Sequence, residues 1–128
     1  MKKIAAVAAL SFLALAGAVA PAAAEWNLLG VREVRDRTDR DTIVVEGHRT
    51  FTKVRFCVYR KPVNFKDVDI IFHNGGHQDV SVAALIRPGD CTRAIDLEGG
   101  ARDIASITFL YEASSPGRHR ATVRAFGE

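Results

Sequence analysis

The chain has 128 residues, 18 of them Lys or Arg against 15 Asp or Glu, for a formal net charge of +3. Lys2 and Lys3 belong to a leader, and without them the net charge falls from +3 to +1. A near-neutral chain with interspersed signs excludes the electrostatic footprint of a nucleic-acid binder, and the length suits one domain with one modest core.

The leader is the first element. Met1-Lys2-Lys3 is followed by an apolar run from Ile4 to Ala20, then Pro21 and three alanines before Glu25. A charged start, an apolar stretch and small residues at the cleavage positions predict a secretory signal peptide over residues 1–24 and a β domain over residues 25–128. The run is Ala-rich and broken by Gly17, short of the roughly 20 strongly apolar residues of a membrane span, so no span is expected in the mature chain. Removing 24 of the 128 residues leaves 104. The destination is the periplasm or the exterior.

WNLLGVREV, from Trp26 to Val34, reads as a strand with a bulge or a close contact at Gly30. Trp26, the sole tryptophan, is either a core plug or a stacking platform for a sugar ring. From Arg35 to Asp41 the signs alternate, and Asp36, Asp39 and Asp41 could offer oxygens to calcium, although Arg35 before them and Arg37 and Arg40 between them compete for those oxygens. The spacing reads better as an Arg/Asp-laced connection, with a short strand, TIVVE, from Thr42 to Glu46.

FTKVRFCVYR, from Phe51 to Arg60, alternates with a period of two: Val54, Phe56 and Val58 on one face, Lys53, Arg55, Cys57 and Tyr59 on the other. Arg55 and Tyr59, with Trp26, are the candidate ligand-binding residues. Cys57 and Cys91 are the only cysteines, and an even count in an exported chain predicts a disulfide, with two buried thiols or one reactive cysteine as the alternatives.

FKDVDIIFHNGGHQDVSVAALI, from Phe65 to Ile86, is a hairpin signal: two alternating runs around Asn-Gly-Gly. A three-residue loop on Asn74-Gly75-Gly76 pairs Ile70 with Val80 and Val68 with Val82, and sets His73 opposite His77 on the face that carries Asp69, Asp79 and Ser81. No cofactor is expected, and His73, His77 and Asp79 are the candidate ligands should the chain bind a divalent metal. The plain alternative is a solvated face beside a turn.

Arg87-Pro88-Gly89-Asp90 reads as a turn, Thr92 to Leu97 as a strand, Asp103 to Tyr111 as a central strand with apolar residues at both parities, and Ala121 to Phe126 as the last strand. About eight short strands with frequent turn signals predict an all-β, antiparallel sandwich or jelly roll.

Together, WNLLGVREV, DRTDRD with its Ile-Val strand, the HNGG turn and the ending ATVRAFG resemble a family of small exported bacterial proteins classed as a domain of unknown function. The resemblance runs from Trp26 to Gly127 and implies a periplasmic β-sandwich. It brings no activity or site, and the Cys57/Cys91 pair is not part of it.

The chain lacks a Gly-x-Ser-x-Gly elbow, a His-Glu-x-x-His helix and a phosphate-cradling loop. The expected function is thus a non-catalytic binding or scaffolding module for an envelope protein or glycan, with a metal-binding module or metal-dependent hydrolase on His73, His77 and Asp79 as the alternative.

Overall fold

In the computed structural model, residues 25–34, 38–113 and 120–128 are described. They form nine strands: β1 (Asn27–Val34), β2 (Thr38–Val44), β3 (Thr50–Phe51), β4 (Lys53–Tyr59), β5 (Val63–Phe72), β6 (His77–Ile86), β7 (Ile95–Asp96), β8 (Arg102–Glu112) and β9 (Ala121–Gly127). One sheet has the order β1-β9-β4-β7 and the other β2-β8-β5-β6, with β3 attached to β8. Every pairing is antiparallel.

Setting aside the two-residue β3, the pairing is nested: β1 with β9, β2 with β8, β4 with β7 and β5 with β6. A nested hairpin of this kind, rolled so that β9 meets β4 and β8 meets β5, is a jelly roll, and the all-β sandwich expected from the turn spacing is found. Between the layers, Phe56 of one sheet packs against Phe65 and Phe109 of the other, with ring centroids 5.7 and 6.3 Å apart. Val54, Phe56 and Val58 are wholly buried, as the alternation of β4 requires.

Four local readings are corrected. The segment expected as one strand from Phe51 to Arg60 is split at Thr52: Phe51 pairs with Arg102 of the larger sheet, whereas Lys53 pairs with Asp96 of the smaller. The chain thus changes sheets there, a corner that alternation cannot register. Next, β2 starts at Thr38, inside the supposed charged connection, because pairing with β8 satisfies its backbone while its charges stay at the surface. Third, β7 keeps only Ile95 and Asp96 of the strand expected from Thr92 to Leu97; Thr92 instead uses its hydroxyl to accept from the Phe56 amide at 3.0 Å.

Fourth, the hairpin loop is His73-Asn74-Gly75, not Asn74-Gly75-Gly76. Ile71 pairs with His77, Ile70 with Gln78 and Val68 with Val80. The shift preserves which side chains point inward but removes His73 from its place opposite His77. Gly75, at φ 95°, takes the left-handed position that closes the loop, with its amide donating to the Phe72 carbonyl at 3.0 Å.

Apolar residues at both parities of β8 have a specific cause. Register slips between Ile71 and Phe72 where they face Ser106 and Ile104, so a bulge at Ala105 puts Ile104 and Ile107 on the same buried side. Gly30 is both bulge and close contact: pairing with β9 slips between Leu28 and Gly30, and a Cβ on Gly30 would collide with the Ile43 side chain.

Candidate functional site

Cys57 and Cys91 are disulfide-bonded, with Cα atoms 3.9 Å apart and a separation of 34 positions in sequence. Cys57 lies on the outer side of β4, away from the apolar stripe, and is nonetheless buried, because the chain from Gly89 to Thr92 runs along the strand. Val58 donates to the Asp90 carbonyl, Gly89 to that of Val58, and Thr92 to that of Phe56. The bond fastens this segment over the edge of the smaller sheet.

The three candidate ligand-binding residues lie around that same outer face. Arg55 sits over the Trp26 ring at 4.3 Å from its centroid, and Arg124 of β9 sits over the Tyr59 ring at 4.5 Å. Arg55, Cys57 and Tyr59 face Phe126, Arg124 and Thr122 across the β4–β9 ladder, and Leu28 and Val31 of β1 face Phe126 and Arg124 from the other side. Leu28 is 48% and Val31 51% exposed, unusual for large apolar side chains side by side on a sheet. Among the described residues neither Arg55 nor Arg124 makes an ion pair, and Arg55 Nε is buried without a hydrogen-bond partner.

The outer face of the larger sheet has the opposite character. It forms an open groove of about 510 Å³ lined by Arg40, Thr42, Asp67, Asp69, His77 and Asp79, among others. His77 Nδ1 lies 3.0 Å from Asp69 Oδ1, and Asp79 pairs with Asp69 across the ladder. Thr42 and Thr108 share a hydroxyl hydrogen bond of 2.8 Å on its floor. His77 and Asp79 thus share the expected face, but His73 does not join them.

His73 turns instead toward the start of β8. Its backbone amide donates to the Asp103 carbonyl at 2.9 Å, and its Nε2 lies 3.7 Å from Asp103 Oδ1. His48, in the connection from β2 to β3, places Nδ1 3.1 Å from Asp103 Oδ2, and its ring centroid is 4.4 Å from that of His73. One nitrogen or oxygen from each of the three residues falls within 4.8 Å of the others.

Of the acidic trio considered for calcium, Asp41 accepts from the Tyr111 hydroxyl at 2.8 Å and pairs with Arg32 at 3.2 Å, and Asp39 accepts from the Arg40 amide at 2.8 Å. Asp36 lies outside the described residues.

The family model of Domain of unknown function (DUF2541) matches residues 5–127. The chain belongs to this family. No curated protein and no solved structure matches it. Among the described residues of this DUF2541 chain no helix is long and apolar enough to cross a membrane.

Sequence reading of the DUF2541 chain overlooks His48 and Asp103. Each looks like punctuation, one after Gly47 and one at the head of a strand. They meet because Thr50 pairs with Asp103, a contact between positions 53 apart that no local pattern carries. The only available signal was the small number of His residues, 4 in the chain.

Proposed function

We propose that the chain is an exported, non-catalytic binding module whose recognition surface is the outer face of the β1-β9-β4-β7 sheet. Its partner is an envelope protein that presents carboxylates beside an apolar patch. The observation that carries this reading is the grouping of exposed Leu28 and Val31 with the Arg55–Trp26 and Arg124–Tyr59 stacks on one sheet face. Trp, Tyr and Arg are the residue types that dominate protein–protein hot spots, and a stacked guanidinium has already lost the rotamer freedom that binding would otherwise remove.

A sugar-stacking role for Trp26 and Tyr59 is less well supported, because a guanidinium already lies over each ring. The leader supports export, and the Cys57–Cys91 bond is compatible with an oxidising compartment. The trio His73, His77 and Asp79 has less support as a metal site than the sequence gives it, since His73 and His77 take different carboxylates.

The test is capture from an envelope extract on the immobilised secreted chain. One protein retained by the wild type and by Asp79→Ala, but lost from Leu28→Asp and Val31→Asp, is the expected result. Retention that ignores Leu28→Asp and Val31→Asp, or binding of an acidic polysaccharide in place of protein, overturns it.

A further inference from the structure

We propose that His48, His73 and Asp103 form a binding site for a divalent cation of the zinc class, independent of the partner-binding face. Three separate elements converge on it: the β2–β3 connection brings His48, the β5–β6 turn brings His73, and the first residues of β8 bring Asp103. Backbone pairing holds two of the three in place. His73 donates its amide to Asp103, while Thr50 pairs with Asp103 and so brings the segment bearing His48 alongside.

The state of the Asp103 carboxylate points to a ligand. Oδ1 is buried and has no hydrogen-bond partner among the described residues, although it lies 3.7 Å from His73 Nε2. A carboxylate oxygen shut off from water without a donor is costly unless a cation or donor completes it. The guanidinium next in sequence does not serve. Arg102 lies over the Phe72 ring, 3.7 Å from its centroid, and donates from Nη1 to the Glu98 carbonyl at 2.7 Å. Among the described residues the ion-pair partners of Asp103 are the two imidazoles alone.

The donor set selects the cation. Two imidazole nitrogens and one carboxylate oxygen suit zinc, copper or nickel, while calcium and magnesium call for oxygen ligands throughout. Zinc bonds of roughly 2.0–2.2 Å require ligand atoms about 3.3 Å apart. The present spread of up to 4.8 Å closes by a modest inward movement of His48, whose side chain is 75% exposed on a loop. That exposure also leaves a fourth position for water, so the site is the open, three-ligand kind. Bound metal would staple the β2–β3 connection and the β5–β6 turn to β8 at one end of the sandwich.

The experiment is calorimetric titration of the untagged, chelator-treated chain with zinc chloride, with calcium chloride as the comparison. Expected are one zinc per chain, no calcium binding, and a thermal midpoint that rises with zinc concentration. His48→Ala, on an exposed loop and therefore able to fold, should weaken zinc binding by at least about tenfold, as should His73→Ala. His77→Ala should bind as the wild type does. Absence of zinc binding, or equal affinity in the wild type and His48→Ala, overturns the assignment, as does loss of binding in His77→Ala alone.

Discussion

Tyr111, wholly buried on β8, donates its hydroxyl hydrogen to a carboxylate oxygen of Asp41 at 2.8 Å, across 70 positions of sequence. The same carboxylate accepts Arg32 of β1 at 3.2 Å, so one acidic side chain ties a core phenol on the larger sheet to an edge strand of the smaller. Tyr111→Phe removes the hydroxyl and leaves the ring packing. Hydrogen bonds to charged groups are worth about 1.5–3 kcal/mol, and urea denaturation should show a loss near the lower end, because Arg32 remains on Asp41. An unchanged midpoint would remove this contact from the account of stability.

Gln78 is buried on β6, and both ends of its amide are used: Nε2 donates to the Asp96 carbonyl at 3.0 Å and Oε1 accepts from the Glu98 amide at 2.8 Å. It clasps the edge of the larger sheet to the chain around β7 on the smaller. Gln78→Leu makes the position more apolar and yet should destabilise, by about 1–3 kcal/mol for each backbone group left unpaired. Faster hydrogen exchange at the Glu98 amide is the local signature.

Closing a loop over 34 positions restricts the unfolded chain, which in the entropy model is worth roughly 3–4 kcal/mol. The Cys57→Ala/Cys91→Ala double variant should lose stability of that order by urea denaturation. Its loss should exceed that of Tyr111→Phe.

Gly30 gives a coupled prediction. A Cβ there collides with Ile43, which is 3% exposed and packed in the core. Gly30→Ala should cost about 1–3 kcal/mol through overpacking, and Ile43→Ala in the same chain should recover part of it. Strict additivity of the two changes by urea denaturation would contradict the contact.

Much of the fold is legible because strand chemistry is local. The alternation of β4 states its buried face, the Asn-Gly-Gly cluster marks the hairpin, and Gly30 announces a close approach that Ile43 supplies. What is not legible is long-range or sub-residue in origin. The switch of sheets at Thr52 and the bulge at Ala105 depend on partners distant in sequence, and the one-residue displacement of the hairpin loop goes with a His73 amide that donates to the distant Asp103 carbonyl. The candidate sites follow the same division. Arg55 and Tyr59 share a face by simple parity, whereas the meeting of His48, His73 and Asp103 requires the β3–β8 pairing.

The proposed recognition face of the smaller sheet is tested most directly by a photo-crosslinking residue placed at Val31 in the chain as expressed in cells, with Asp79 on the opposite face as the comparison position. Irradiation should give a discrete adduct to one protein from position 31 and none from position 79, and Arg124→Glu should abolish that adduct. No adduct from position 31, or the same adduct from both positions, would contradict the proposal that this face binds a partner.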